Sequence, residues 1–553
     1  MTAERNAPER ESAGSIHLSR RTVLAAPAAL MLPRFALAQK AKVQKGQVVV
    51  GFSSEPTVLN PLMPQLEVDQ GVWFALFNPL WRVEPDGTLV PELAAEVPSL
   101  ENGSISADGL SWTVKLRKGV KWHDGKDFTA EDVKYTIELI NNPNFKANAR
   151  QGHDLVRDIT IVNPYELTWK MSKAYSPYLA LLALTFIVPK HALASAADPN
   201  TAPFNSAPIG TGPFKWGKRV AGQGITVEAN KDYFGDGPFV ERVIFNYIPD
   251  TNNLYTQFKT GQIDYIGHRG IAPQFVKEAS ALHDRKVEKV RFSQVEGIAL
   301  NLGKPIFQDK AVRRAMYAGI NKKAIIGAVY YGLPVETESI VPRSSWAFNP
   351  DLPKHAYDLA LGNKALDDAG WVRGSDGIRA KGGQRLEFTA ATVSGVAQRE
   401  QVLQLLQQDW SKLGIAMQIK TMPAAVIWAD YYLKSQFDCL LISSSYSAGA
   451  DPDMTRRFSS AAIPIQGGSG NNYYQYKNPE VDRLLAVAQA SFKRAERKEA
   501  YQKIQALLRE DLVVLPISQT QPVEGTKAKL VGYNSNPNVQ CNTWNINTWR
   551  WTT

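Results

Sequence analysis

Two cysteines in 553 residues, Cys439 and Cys541, allow at most one bridge, so no disulfide framework holds this chain together. Cys439 lies in the apolar run Cys439-Leu440-Leu441-Ile442, where a buried thiol is as natural as a bridge; spacing alone does not decide between them. Histidine is equally sparse. His17, His123, His153, His191, His268, His283 and His355 are dispersed without the spacing of metal ligands. There is no Gly-x-Ser-x-Gly elbow and no phosphate loop. Trp122-His123-Asp124 pairs a base with a carboxylate, but it falls in a turn between a strand and a helix and reads as fold-forming. An enzyme, such as a periplasmic hydrolase, therefore rests on size alone. The expectation is a chain with no catalytic residues, no cofactor and no bound metal.

Long runs are also lacking. The net charge of +10 is scattered, which suits solubility and gives no footprint for nucleic acid. No internal repeat is present, and the one low-complexity patch, Gly467-Gly468-Ser469-Gly470, reads as a mobile loop. The apolar stretch Val23–Leu32 spans about 15 Å as a helix, half a bilayer. It follows Ser19-Arg20-Arg21-Thr22-Val23-Leu24, a twin-arginine pattern, and precedes the small-x-small site Ala36-Leu37-Ala38. These features predict a signal peptide over 1–38, cleavage after Ala38, and export to the periplasm. No cysteine near that site disfavours a lipid anchor. Cleavage would leave about 515 residues with a net charge of +8, enough for two or more domains.

The densest pattern is Val114–Glu138. An alternating strand (Trp112, Val114, Leu116) passes through Arg117-Lys118-Gly119 into Val120-Lys121-Trp122 and the turn His123-Asp124-Gly125. Thr129 then fits a helix N-cap with Asp132 three residues on, a capping box with Asp in place of Glu or Gln. Val133, Ile137 and Ile140 follow at helical spacing. Further along, Val48–Phe52 reads as a strand and Gly71–Trp81 as a helix with an aromatic end. Ile159–Val162 and Glu166–Met171 read as a hairpin, Lys310–Ala318 and Gln401–Leu413 as helices, and Ile415–Thr421 as a strand.

The block Val114–Glu138 resembles the signature of extracellular solute-binding protein family 5, the peptide- and nickel-type receptors of ABC importers. Ile209-Gly210-Thr211-Gly212-Pro213-Phe214, Gly261-Gln262-Ile263-Asp264, Asn301 with Pro305–Asp309, and Ala369-Gly370-Trp371 resemble other segments of that family, in its order. The resemblance covers nearly all the chain after the leader. It implies an α/β, periplasmic binding protein-like fold (type II, cluster C), with two ligand-enclosing lobes plus an extra lobe, hinged. The implied division is lobe I from 45–82, 209–302 and 519–553, lobe II from 83–208, and lobe III from 303–518.

Relatives of the peptide type pair the peptide's amino terminus with an aspartate in a loop shortly before Asp-Pro. Here that loop is Ser443-Ser444-Ser445-Tyr446-Ser447-Ala448-Gly449-Ala450-Asp451-Pro452. Counting back from Asp451-Pro452 puts Ala448 at the aspartate position, and counting forward from Phe437-Asp438 gives Ser447. Neither is acidic, and a buried ammonium without a partner costs several kcal/mol. Asp451 or Glu55 would have to compensate. The loop offers a row of hydroxyls instead, with Arg456, Arg457, Tyr473 and Tyr474 following. The ligand-contacting residues expected are Ser53, Glu55, Asn301, Trp428, Ser444, Ser445, Tyr446, Ala448, Asp451, Arg456 and Tyr473; Trp346 fits cleft or core equally. The implied function is a periplasmic substrate-binding protein that captures a peptide or peptide-like small-molecule ligand in an interlobe cleft. It would deliver that ligand to an inner-membrane ABC permease, acting as a monomer. An opine, an oligosaccharide or a polycarboxylate is the alternative ligand.

Overall fold

The central strand of the largest sheet, Gln44–Phe52, places Val48, Val50 and Phe52 on a fully buried face. A computed structural model describes residues 44–552 apart from 269 and 446–449. The expected leader therefore lies outside the described residues. Gln44–Phe52 pairs in parallel with Val240–Tyr247 on one side and Tyr265–Ile266 on the other. Antiparallel strands complete the seven: Val523–Lys527 and Arg285–Lys289 at one edge, Gly224–Ala229 and Phe214–Val220 at the other. The sheet is thus gathered from three separated stretches of sequence.

A second sheet has six strands, in the order Val335–Glu336, Val514–Gln519, Val295–Leu300, Cys439–Ser444, Glu387–Val393, Ala416–Met422. The last three run parallel to one another, with the helix Ala397–Ser411 as the crossover between Glu387–Val393 and Ala416–Met422. Val295–Leu300 belongs to this sheet by its hydrogen bonds to both neighbours. The division implied by the resemblance, with 209–302 in lobe I, groups this strand with the first lobe instead. A third, antiparallel sheet joins Ser111–Lys115, Glu166–Met171 and Val156–Asn163.

The capping box forms at the helix Ala130–Asn141: Asp132 Oδ2 accepts the Thr129 N–H at 3.0 Å. Asp132 also accepts from Trp122 Nε1 and from the Lys190 N–H, so one carboxylate ties the turn to two helices. His123 does similar work across a longer distance. Its Nδ1 accepts the Gly210 N–H at 3.1 Å, which leaves Nε2–H to donate to the Gly212 carbonyl at 3.0 Å. Burial favours the neutral ring and lowers its pKa to about 4, against the hydrogen bond to the Gly212 carbonyl, which raises it. Gly210 and Gly212 lie so close to the carbonyl end of the helix Asp69–Leu76 that an added Cβ at Gly210 would stand 1.7 Å from the Leu76 oxygen. Close approach, and not only turn geometry, requires glycine there.

Two readings need correction, and the choice left open for the cysteines is resolved. The helix expected over Gly71–Trp81 ends at Leu76, because Phe77 is extended and Pro79 cannot continue it; Trp81 begins a short strand. Within the patch Gly467–Gly470, Gly468 and Gly470 pack against the segment 461–463, while Gly467 and Ser469 are exposed. The Gly468 N–H donates to the Ile463 carbonyl, and a Cβ at Gly468 would lie 2.3 Å from the Ala461 oxygen. Cys439 and Cys541 are both buried free thiols, in separate cores.

Candidate functional site

Two chain segments, 290–294 and 520–522, link the seven-stranded sheet to the six-stranded sheet, and they run side by side. The Val290 N–H donates to Pro522 O at 2.9 Å, the Thr520 N–H to Gln294 O at 3.0 Å, and Gln519 Nε2 to Phe292 O at 2.9 Å. Ser444, at the carboxyl end of its strand, pairs with Val295 just past one crossover, and Gly270, shortly after Ile266, lies against the Val523 and Ile266 carbonyls beside the other. Strand carboxyl ends carry the irregular loops on which α/β proteins build binding sites. Gln294 Nε2 donates to Glu67 Oε1 at 2.8 Å, while Glu67 Oε2 lies 3.4 Å from His268 Nε2. This links the crossover to two loops of the first sheet.

On the six-stranded side, several expected residues come together. Ser445 Oγ is 3.3 Å from Ser293 Oγ on the crossover, and its carbonyl accepts from Arg457 Nη2 at 3.4 Å. Arg457 Nη1 donates to the Tyr432 hydroxyl at 3.2 Å. The Tyr432 ring packs 4.5 Å from Tyr473 and 5.3 Å from Trp428, whose indole is 39 % exposed. Arg456 Nη2 and the Tyr473 hydroxyl share Asn471 Oδ1, each at 3.3 Å. Ser444 sits half-buried at the strand end. Neither arginine is simply solvated; both line a hydroxyl- and aromatic-rich wall. Tyr446 and Ala448 lie outside the described residues.

Other expected residues are already occupied. Asp451 is buried, and both its oxygens accept from Arg497 Nη2, at 2.7 and 2.6 Å. Arg497 in turn stacks on Trp346, which is therefore part of this packing. Asp451 is half of a buried ion pair and is not available to a ligand ammonium. Asn301 is buried too: its amide donates to the Ser435 and Phe437 carbonyls, and its oxygen accepts from Gly303 N–H and Gln475 Nε2. It braces the loop after its strand. Glu55 accepts from Arg219 Nη2 at 2.8 Å and from the Gly222 N–H, and the Arg219 hydrogen bond holds its carboxyl below the usual range. Ser53 stands half-buried just past Phe52. The loop between them and Leu66 is pinned by Asp69, whose carboxylate accepts the N–H groups of Thr57, Val58 and Leu66.

Sequence reasoning missed Glu296, Arg399, Tyr330 and Ser518. They line a cavity of about 250 Å³ beside the crossovers. A charged residue inside the apolar strand Val295–Leu300 was the available signal. Among the described residues, no group of three His, Cys, Asp or Glu is placed to hold a metal ion, and no helix is long and apolar enough to cross a membrane.

Mixed α/β sheets joined by paired crossovers, with loops from both at the junction, define a multi-lobed periplasmic binding protein fold. The sequence agrees. Residues 88–463 match the family "Bacterial extracellular solute-binding proteins, family 5 Middle", and the chain belongs to that family. It is 29 % identical over 479 residues to the oligopeptide-binding protein AppA of Bacillus subtilis (strain 168), covering 85 % of each chain. The structure of AppA from Bacillus subtilis in complex with a nonapeptide superposes with a TM-score of 0.77 at 27 % identity, over 92 % of this chain and all of that one. NikZ from Campylobacter jejuni in complex with Ni(L-His) gives 0.78 at 26 % identity, over 91 % of this chain and 99 % of that one. Structures this similar are thus in complex with a nonapeptide in one case and with Ni(L-His) in the other.

Proposed function

We propose that this chain is the periplasmic substrate-binding protein of an ABC importer. It captures a peptide or peptide-like solute between the seven- and six-stranded lobes and delivers it to an inner-membrane permease. The observation that carries this is the pair of hydrogen-bonded crossovers that joins the two sheets. Such paired strands permit hinge closure while keeping the two sheets in register. The lobes in this reading are the three sheets with their helices, the one over 83–208 being the extra lobe. The Ser445–Arg457–Tyr432–Tyr473–Trp428 wall supplies donors and aromatic faces for a polar solute, and no described group there is arranged for catalysis. The uptake step draws its energy from the transporter, so the receptor needs only to bind and release. Export through the twin-arginine leader places it in the periplasm.

Loss of the acidic residue at Ser447 or Ala448 favours, within this class, a solute lacking a free amine. A thermal-shift screen of the protein against free peptides, N-acetylated peptides, opines, sugars and polycarboxylates tests this. Stabilisation by N-acetylated peptides above free ones, together with loss of uptake of the same compound in a deletion strain, supports the reading; strong stabilisation by free peptides would defeat the argument from Ser447 and Ala448. Stabilisation by sugars alone would replace the ligand class, and chemical turnover of a ligand would replace the receptor.

A further inference from the structure

We infer that Tyr175, on the extra lobe, is a positioning residue for solute binding. It acts through Asp453 on the short helix that carries Arg456 and Arg457 of the hydroxyl- and aromatic-rich wall. This inference rests on the receptor reading above and adds which part of the extra lobe serves the wall, and by what contact.

Arg456 and Arg457 sit on the helix Thr455–Phe458, a single turn too short to hold its own shape. Asp453 fixes the start of that turn. Its Oδ1 accepts the Thr455 N–H at 3.0 Å and the Thr455 hydroxyl as well. Its Oδ2 faces the extra lobe. The Tyr175 hydroxyl donates to Oδ2 at 2.9 Å, and Gln151 Nε2 lies 3.4 Å from it; from its own lobe only Gln489 Nε2 reaches it, at 3.3 Å. Asp453 is 4 % exposed and, among the described residues, has no ion-pair partner. A buried carboxylate without a cation depends on neutral donors, and the shortest of these belongs to Tyr175.

The phenol is held so that it donates in one direction. Gln151 Nε2 donates to its oxygen at 2.6 Å, which leaves the O–H for Asp453. Burial and the Asp453 charge raise its pKa, so it remains a donor. The lobes are pinned around this bond. The Ser176 N–H donates to Gln489 O at 2.8 Å, and Phe492 packs edge-on to Trp112 with ring centroids 6.0 Å apart. Ala450 packs against the core of the extra lobe, and a Cβ at Gly109 would stand 2.5 Å from the Phe492 ring. Close packing of this kind passes a displacement on with little slack. On the far side of Asp453, Arg457 reaches the Ser445 carbonyl and the Tyr432 hydroxyl, and Arg456 reaches Asn471. A shift at Asp453 therefore moves both guanidinium groups, whose planar forks tolerate little misplacement.

The test compares the wild type, Tyr175→Phe, Arg457→Gln and the double variant, with trialanine and N-acetyl-trialanine as calorimetric probes. Tyr175→Phe should weaken the better probe about tenfold, as expected for one hydrogen bond to a charged group. In the Arg457→Gln background the same change should cost less than about twofold, because the path then ends at a missing side chain. Hydrogen exchange of the ligand-free protein is the second readout. The amides of Thr455, Arg457 and Phe458 should exchange at least about fivefold faster in Tyr175→Phe, with the strand Val295–Leu300 unchanged. Gln151→Met lets the phenol turn while leaving Asp453 intact; it should move both readouts the same way by less, and it carries the comparison should Tyr175→Phe not fold. Unchanged affinity in Tyr175→Phe, a tenfold loss that persists beside Arg457→Gln, or unchanged exchange at those amides overturns the inference and leaves the receptor reading standing. No binding of either probe to the wild type overturns the peptide-like reading; there, as when Arg457→Gln binds neither probe, exchange alone decides the role of Tyr175.

Discussion

His123 and His153 show how a single buried ring ties this protein's stability to pH. His123 is saturated by two backbone groups and His153 by the Tyr178 and Thr185 hydroxyls, and burial lowers the pKa of each to about 4. The unfolded chain takes up these protons near pH 6.5, whereas the folded chain resists until about pH 4. The contribution of each neutral ring is complete above pH 6.5 and is lost as pH falls through that window, by at most about 3 kcal/mol. Urea unfolding between pH 7.5 and 4 should therefore show a steep loss, and His123→Gln should flatten part of it; an unchanged slope in the variant would remove His123 from the account. Asp451 and Arg497 make a second residue-scale prediction. Removing one partner of a buried pair leaves the other charge stranded, so Arg497→Met should cost about 3–5 kcal/mol in urea unfolding. This pairing was not legible in the sequence, where Asp-Pro suggested a turn and the arginine stands 46 residues away. The same holds for Glu296, whose two serine neighbours come from strands far apart in the chain.

Elements whose causes are local were readable, and those caused by distant contacts were not. The capping box of Thr129 and Asp132 involves four consecutive residues, and the helix forms where that pattern places it. Lys310–Ala318 is likewise a helix between the expected bounds. The glycine patch looked loose because nothing in Gly467–Gly470 itself reveals that Ala461 and Ala462 press against it. Gly468→Ala should therefore destabilise the fold by about 1–3 kcal/mol, as expected for overpacking against backbone. A substitution cost near zero would mean the loop is free after all. The loop following Gln44–Phe52 offers the complementary test. Asp69→Ala removes the acceptor for three N–H groups, so amide exchange at Thr57, Val58 and Leu66 should accelerate well before the sheet strands respond.

For the whole molecule, family membership and the order of segments were visible in the sequence, since they follow from motifs that recur along the chain. The expected solute contacts separated once the fold was in view. Ser445, Arg456, Tyr473 and Trp428 gather with Arg457 and Tyr432, while Asn301, Asp451 and Glu55 are held by partners within the protein. Which side chains share a wall is set by sheet register and by the crossovers at 290–294 and 520–522, and neither is encoded in local pattern. The central claim is that this chain binds a peptide or peptide-like solute between two lobes and leaves it intact. Isothermal titration of the exported chain with pooled free and N-acetylated tripeptides, followed by mass analysis of the recovered compounds, tests it most directly. The account predicts saturable one-to-one binding with the ligand recovered unchanged; no binding from either pool, or recovery of cleaved products, would contradict it.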